Sequence, residues 1–449
     1  MTSHPLSRRS LLAGTVAAGA FTVLGSGQDA AAAQPLTATT NPQITVVGEP
    51  SAEAERLRLA QALRGSEFQP TGRYASPGAA VTLRVEAGGG LIPTLWIGQW
   101  DYYNDDDTLQ QPRKYTLTTG DNTVSDPHGG PVYLSLAGDG ERSRVRFLSG
   151  TREIPAFRLG ERDAEARFQK RLDAGAGLPV VELYSPHAIV TLTREGALLH
   201  RSQDHSALLG LYETIIDSHA RISGLDGSKP QHARKAGRYH FTEVSKVPSG
   251  VGAYATHGYN GFPRAYLDRA LTVEGLRTRG WGLYHELGHL HQQFAYKAEA
   301  LTEVTVNIYS LAAQRTLDQP SNLLTPDAAT GLNPFQSSRA KFGTAGLSYE
   351  KSFGAYEKLV PLRQLELAFG DDFWPRLHRL VREENPRSDH TDSAKRYRAL
   401  ATYSSRIARH DLTDFYVHTW AFPIDATGKA ELAALGLPRP AVDPGTLSD

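Results

Sequence analysis

Two histidines and a glutamate on one predicted helix could build a metal-dependent hydrolase. Segment 280–289 reads GWGLYHELGH, in which His285 and His289 are four residues apart and Glu286 follows the first histidine. Residues at i and i+4 lie one turn apart on the same helix face, so the two imidazoles can share one metal ion. Glu286 then lies beside the open coordination position, where it can take a proton from a zinc-bound water and pass it to a leaving amine.

The residues around this pattern argue against a chance occurrence. Leu283, Leu287 and Leu290 predict a buried helix over 283–295, in which an unpartnered pair of imidazoles would be costly. His291 is rotated by about 200° from His289 on a helix, so we predict that it faces away from the metal. Gln292 and its neighbour at 293 are better candidates for local hydrogen bonds.

A catalytic zinc of this type needs a third protein ligand. The metzincin pattern requires glycine at position 292 and histidine at position 295, and the chain has neither. The remaining pattern uses a glutamate on the following helix, for which Glu299 and Glu303 are the near candidates. Glu303 opens the apolar run EVTVNIYSL over 303–311, which favours a ligand, although acids are also common in the first turn of a helix. We predict Glu303 as the ligand and Asn307, on the same face, as its support.

The oxyanion of peptide hydrolysis needs a hydrogen-bond donor besides the metal. Tyr259, with His257 and Gly258 beside it, is a candidate for oxyanion or substrate contact, and segment 252–259 could form an edge strand that pairs with substrate backbone. An ordinary strand and turn fits this segment equally well. Other tyrosines and histidines are equally open candidates, and packing is the competing interpretation for each: Tyr349, Tyr356, His378 and His410.

Composition excludes several other chemistries. The chain has no cysteine, so thiol catalysis, disulfides and Cys-ligated zinc or iron–sulfur sites are excluded. The 48 Lys and Arg balance the 48 Asp and Glu, which gives no electrostatic reason to expect nucleic acid or an anionic membrane. A transition metal must be held by His and carboxylate, a ligand set that suits Zn²⁺.

The first 33 residues predict an export signal. Segment 7–12 reads SRRSLL, an apolar stretch follows to Leu24, and the alanine run 30–33 suits a cleavage site. The apolar stretch is short for a spanning helix. We expect a soluble, secreted protein exported by the twin-arginine route, without stable membrane insertion and most simply monomeric.

The elements that must position these residues fall into two predicted domains. A leader and short helix cover 34–65, and alternating strands at regular spacing predict a β-sandwich over 66–180. Residues 181–435 predict a mainly helical catalytic domain with a small sheet, because helical periodicity dominates from 207 onward. Residues 436–449 form a C-terminal tail. The predicted fold class is α+β.

The motifs together resemble a known family. Segment 281–292, WGLYHELGHLHQ, followed by TEVTVNIYSL over 302–311, is similar to the M60-like peptidases, the enhancin and mucinase group. Segment 71–78, TGRYASPG, and segment 420–424, WAFPI, resemble the beginning and end of that family's domain. The resemblance covers about residues 70–435 and is specific in combination.

The resemblance implies a gluzincin-type zinc endopeptidase that acts on mucin-like O-glycoproteins. It assigns the ligand roles to His285, His289 and Glu303, and the base role to Glu286. The alternative is a non-catalytic glycan-binding or adhesive protein on the same scaffold, which has no need of all four residues. A metallohydrolase for other bonds, such as a peptidoglycan amidase, is disfavoured by the glutamate-ligated pattern.

A cluster of aromatic residues and acids in the β region could contact glycans. Aromatic rings stack on sugars and carboxylates bind their hydroxyls, but a β-sandwich also buries aromatic residues as a matter of course. The acid run 105–107 lacks the spacing of a calcium loop and is more typical of a solvated turn. The cluster comprises Trp96, Trp100, Tyr102, Tyr103, Asp101 and the acids at 105–107.

Overall fold

The structure, a computed structural model, describes residues 43–88, 90–385 and 392–449. The predicted export signal, 1–33, and the first part of the leader lie outside these residues. The described chain divides into two compact units, one formed by 43–55, Gly65–Glu213 and Ala236–Glu286, the other by Arg56–Arg64, Thr214–Lys235 and Leu287–Asp449. Within the described residues, no helix has the length and apolar character needed to cross a bilayer.

The first unit contains a β-sandwich in which two antiparallel sheets share one core. One sheet has the order β1-β8-β3-β6 and the other β5-β4-β7-β2-β9. Their strands are β1 Gln43–Val47, β2 Gln69–Ala75, β3 Ala80–Glu86, β4 Thr94–Ile97, β5 Arg113–Thr116, β6 Gly120–Ser125, β7 Gly130–Ser135, β8 Arg142–Ser149 and β9 Thr151–Glu153.

Alternation of side chains builds this core. Val81, Leu83 and Val85 of β3 are buried, and Leu95 and Leu134 from the second sheet pack in the same cluster. The neighbours of these residues along β3 point outward, as the two-residue period of a strand requires. Tyr133, next to Leu134, is buried on the other face of β7.

A six-stranded mixed sheet completes the first unit. Its order is β10-β11-β12-β13-β15-β14, which places β14 at the edge. The strands are β10 Ala156–Arg158, β11 Val180–Tyr184, β12 Ala188–Thr193, β13 Tyr239–Val244, β14 Tyr254–Thr256 and β15 Tyr259–Pro263.

A buried polar network connects the sandwich to this sheet. The Tyr133 hydroxyl donates to Glu182 Oε1 at 2.6 Å, and Thr191 Oγ1 donates to the same oxygen at 3.0 Å. Thr191 Oγ1 also lies 2.8 Å from His240 Nε2. Burial raises the pKa of Glu182 and lowers the pKa of His240 to about 3, so this network is structural.

Helices dominate the rest of the chain. The α-helices are α1 Ala52–Arg58, α2 Ala164–Ala174, α3 Arg194–Leu199, α4 His205–Ile222, α5 Leu267–Ala270, α6 Val273–Arg279, α7 Trp281–His289, α8 Thr302–Thr305, α9 Asn307–Thr316, α10 Pro334–Arg339, α11 Tyr349–Ser352, α12 Ala355–Phe369, α13 Phe373–Glu384, α14 Ser393–Ala408 and α15 Ala426–Ala434, and a π-helix covers Asp414–Thr419. The predicted α+β class, a sheet-rich N-terminal region followed by a helical region with a small sheet, is confirmed.

Two local predictions differ from the structure. The helix predicted over 283–295 ends at His289, because the chain after it turns to pair Gln293 with Gln61. The Gly-Asp-Asn composition of segment 120–122 predicts a turn, but the segment belongs to strand β6, which pairs antiparallel with β3. Gly, Asp and Asn are weak strand formers, so the pairing partner decides the conformation there.

Candidate metal centre

Helix α7 presents three of the predicted residues on one face. Leu283 and Leu287 are 1% and 0% exposed and anchor the opposite side of the helix. His285 and His289 are one turn apart, and Glu286 lies next to them on the remaining side of the helix. Glu286 is 8% exposed, so its carboxylate is largely shielded from bulk water.

A close approach between two segments of the second unit brings in the third residue. A Cβ at Gly288 would lie 2.9 Å from Val306 Cγ2 and 2.9 Å from the Val306 carbonyl oxygen. Only glycine therefore allows the chain at 288 to pack this closely against the residues that follow Glu303. Glu303 itself lies in the first turn of α8, as predicted.

The ligand atoms of His285, His289 and Glu303 all lie within 4.8 Å of one another. His289 Nε2 is 3.4 Å from Glu303 Oε2. Within the described ranges, no other group of three His, Asp or Glu side chains comes this close together. The Glu303 side chain is 51% exposed, more than its apolar helix suggested, so its carboxylate is open to solvent while it faces the imidazoles.

Gln292 orients the His289 ring. Its amide nitrogen donates to the Thr302 carbonyl oxygen at 2.8 Å and to Thr305 Oγ1 at 2.7 Å. A carbonyl can only accept, so the amide orientation is fixed and Gln292 Oε1 faces His289 Nδ1 at 3.2 Å. The Nδ1 atom must then carry the proton, which leaves the Nε2 lone pair for a metal. From the sequence, Gln292 is predicted only to form local hydrogen bonds.

Asn307 supports Glu303 through the main chain. Its side-chain nitrogen donates to the Glu303 carbonyl oxygen at 2.9 Å, and Ser310 Oγ donates to Asn307 Oδ1 at 3.0 Å. Asn307 therefore holds the turn that carries the carboxylate.

His291 belongs to a separate buried cluster. Because α7 ends at His289, the helical phase from which its direction was predicted does not extend to it. It is 1% exposed, its Nδ1 lies 3.0 Å from Ser223 Oγ, and its ring is 5.6 Å from that of Tyr309. His378, 0% exposed, stacks on the same tyrosine at 5.7 Å. Burial lowers the pKa of His378 to about 3 and that of His291 well below its usual value. These rings are neutral core residues.

Tyr259, the first oxyanion candidate, is engaged elsewhere. It is 1% exposed, and its hydroxyl accepts from the Tyr102 backbone nitrogen at 2.8 Å and lies 2.7 Å from the Tyr254 hydroxyl. Gly258 has a φ of +100°, and a Cβ there would meet the Trp100 ring at 3.1 Å. His257 is exposed in the turn between β14 and β15.

The other oxyanion candidates also have local partners. The Tyr349 hydroxyl donates to the Lys358 carbonyl oxygen, and the Tyr356 hydroxyl accepts from Asn322 Nδ2. His410 Nδ1 lies 2.7 Å from the Ala408 carbonyl oxygen. Tyr266 is not among the residues predicted from the sequence, and its hydroxyl lies against Gly282 of the metal helix. No pattern in the sequence indicates this contact.

The aromatic cluster divides into core and surface residues. The rings of Trp96 and Trp100 lie 5.3 and 5.7 Å from that of Phe68, whereas Tyr102 is 54% exposed. Asp106 caps the short 3₁₀ turn that begins at Asp107, in agreement with a solvated turn at 105–107.

Two protein-family models match the chain. The family model described as "Peptidase M60, enhancin and enhancin-like" matches residues 150–421. The model of the N-terminal domain of M60-like peptidases matches residues 50–146. Both matches agree with the resemblance drawn from the sequence.

Individual relatives are distant. The chain is 27% identical over 201 residues to the accessory colonization factor AcfD of Vibrio cholerae, which covers 43% of this chain and 12% of that protein. Alignments span 12% to 42% of the length of four curated relatives.

Solved structures share the fold over most of the chain. A functionally unknown conserved protein from Bacillus anthracis is 26% identical with a TM-score of 0.79, covering 91% of this chain and 81% of that one. The M60 catalytic domain of ZmpC from Clostridium perfringens, in complex with the sialyl T antigen, is 19% identical with a TM-score of 0.73, covering 90% and 82%.

Proposed function

This chain belongs to the Peptidase M60, enhancin and enhancin-like family, and we propose that it is a zinc-dependent endopeptidase that hydrolyses O-glycosylated, mucin-like proteins. The observation that carries the proposal is the convergence of the ligand atoms of His285, His289 and Glu303 within 4.8 Å of one another. The two histidines lie on α7, which also bears Glu286. Because the chain belongs to a peptidase family, we interpret this geometry as the site of a metallopeptidase.

The donor set fits a zinc ion. Two imidazoles and one carboxylate are a common protein ligand set of catalytic zinc, which keeps a further position open. The Nε2 atom of His289, left unprotonated by the contact with Gln292, is a suitable donor. When bound, zinc polarises a carbonyl group and lowers the pKa of water.

Glu286 carries the proton through the reaction. It follows His285 directly and lies on the metal-facing side of α7, where only 8% of its surface is exposed. It accepts a proton as the oxygen of the attacking water bonds to the scissile carbonyl carbon. It returns that proton to the amide nitrogen as the carbon–nitrogen bond breaks. The carboxylate ends the cycle ionised, as it began.

Glycosylated substrate is the finer part of the proposal. The similar ZmpC domain is described in complex with the sialyl T antigen, and that observation belongs to that protein. In this chain, Tyr102 is exposed and packs edge-on against Tyr103 with ring centroids 5.0 Å apart. An exposed ring of this kind can stack on a sugar. Strand β14 is at the edge of its sheet, and an edge strand can pair with an extended substrate backbone.

Export is part of the same proposal. The twin-arginine motif in 7–12 and the alanine run 30–33 support secretion, which would bring the protein to extracellular glycoproteins.

The central test incubates the purified protein with submaxillary mucin, before and after enzymatic removal of its glycans. We expect cleavage of the glycosylated form, loss of cleavage with a chelator, and recovery with zinc. Glu286→Gln should keep zinc but lose about 10²–10⁴-fold in turnover. Equal cleavage of the deglycosylated mucin would indicate a general protease that does not require glycans on its substrate.

A second candidate is a glycan-binding protein without catalysis. The relative AcfD is described as an accessory colonization factor, a description that names no enzymatic activity. Stoichiometric zinc and mucin binding without any cleavage, in wild type and Glu286→Gln alike, would establish that reading.

A further inference from the structure

Tyr266 is a partly buried residue held against the metal helix. It closes a short 3₁₀ turn, Arg264–Tyr266, directly after β15. Its ring stacks on Phe262 at 6.0 Å, and the Arg269 guanidinium lies 4.7 Å from its centroid. A Cβ at Gly252 would come within 2.9 Å of the Tyr266 ring. The ring therefore lies in a tight slot, which fixes the direction of its hydroxyl.

That hydroxyl touches α7 at Gly282. A Cβ added to Gly282 would lie 1.8 Å from Tyr266 Oη and 2.8 Å from Cζ. Any side chain at 282 would displace the tyrosine, so the hydroxyl occupies the space where such a side chain would begin.

The position of Gly282 on the helix places the hydroxyl beside the metal centre. At 100° per residue, Gly282 projects between the directions of His285 and Glu286, about one turn before them. His289 lies on the same side of the helix. The Tyr266 hydroxyl is thus on the ligand-bearing side, next to the base and away from the buried leucines.

The surroundings keep this hydroxyl a proton donor at neutral pH. Burial raises the pKa of Tyr266 above its usual value. A hydrogen bond donated by Arg269 and the charge of that residue lower the pKa, and the charges of Glu286 and Asp268 raise it. The hydroxyl therefore retains its proton next to the carboxylate that accepts one.

We infer that Tyr266 donates a hydrogen bond to the scissile carbonyl oxygen as that oxygen gains negative charge. The inference rests on the proposed peptidase function and supplies the oxyanion donor that the sequence left open. Tyr266 keeps its own proton throughout, because Glu286 carries the transferred one. A donor aimed at developing charge contributes most in a shielded site.

The first test compares Tyr266→Phe with wild type on mucin, measuring kcat, KM and bound zinc. Loss of one oxyanion donor should lower kcat by about 10²–10³-fold while KM changes little. Zinc content and melting temperature should stay at wild-type values.

Tyr284→Phe is the matched control. Tyr284 is fully buried on the same helix, and its hydroxyl donates to the Leu276 carbonyl oxygen, away from the ligands. It should retain kcat even if it costs stability. A Tyr266→Phe enzyme with kcat within about threefold of wild type, or one that loses zinc, would overturn the inference.

Gly282→Ala gives a second, independent variant. Alanine is a better helix former than glycine, so the helix is preserved while the Tyr266 hydroxyl is pushed aside. We expect kcat to fall, and to fall much less when the same change is made in Tyr266→Phe. Additive losses would contradict the inference. Wild-type protein that cleaves nothing overturns the peptidase proposal as well, whereas active wild type with unaffected variants overturns only the role of Tyr266.

Discussion

His289 and His291 are two residues apart, yet they belong to different regions of the molecule. His289 Nε2 faces Glu303 at the metal centre, whereas His291 lies in the core beside His219, Tyr309 and Ser223. The buried cluster holds more histidines than the metal centre, but the Nδ1 atoms of His219, His291 and His378 contact hydroxyl or carbonyl oxygens. Whether histidines can bind a metal ion therefore depends on where their nitrogen lone pairs point, and not on how many imidazoles lie close together.

The largest expected effect is at the third ligand. Glu303→Gln should weaken zinc binding by more than about 10²-fold, the upper range for losses at supporting residues, because a neutral amide replaces the carboxylate. Zinc content by mass spectrometry and competition with a chelator measure it. Glu299→Gln is the matched control, since Glu299 is exposed in the preceding turn. Full zinc affinity in Glu303→Gln would break the assignment.

Gln292 and Gln293 are adjacent, but Gln292 contacts the metal centre and Gln293 contacts the buried histidine cluster. Gln292→Leu removes the acceptor of His289 Nδ1 and should weaken zinc binding by about 10–100-fold. Gln293 donates to the His378 carbonyl oxygen at 2.9 Å, so Gln293→Leu should lower stability and leave zinc affinity unchanged. Chelator titration and urea unfolding of both variants separate the two effects. Loss of zinc affinity in Gln293→Leu, with loss of stability alone in Gln292→Leu, would contradict the assignment of these residues to the two regions.

Removal of one hydroxyl from the buried cluster should lower the stability of the protein and leave its zinc affinity unchanged. The Tyr296 hydroxyl lies 2.5 Å from His378 Nε2. Tyr296→Phe leaves that buried nitrogen without its partner and should cost about 1–3 kcal/mol of unfolding free energy. Urea unfolding measures the loss. A change in zinc affinity would mean that the cluster is coupled to the metal centre.

Acid should destabilise the protein through the buried histidines. The folded-state pKa of His378 is about 3, below the value near 6.5 of an unfolded histidine. Its contribution is therefore complete above pH 6.5 and is lost as the pH falls towards 3, by about 1.4 kcal/mol per pH unit. The difference in unfolding free energy between wild type and His378→Gln, followed from pH 7 to pH 5, isolates this residue. A constant difference would contradict the prediction.

Local patterns in the sequence predicted many of the strands and helices. The alternation in β3, β4, β7 and β8 and the helical period of α4 are visible in the sequence, because one buried face imposes a repeat. Strand β6 and the end of α7 were missed, since partners distant in sequence determine them: β3 for β6, and Gln61 for the turn after His289.

The sequence by itself determined the chemistry: His285, Glu286, His289 and Glu303 have the types and spacing of a metallopeptidase, and the absence of cysteine restricts the metal ligands. Helical periodicity suffices for the first three, because they share one element. The side chains that surround these residues are brought together only by the tertiary structure. Gly288 admits the segment that carries Glu303, Gln292 fixes the His289 proton, and Gly282 admits the Tyr266 hydroxyl. Such contacts join residues through space, and no repeat along the chain records them.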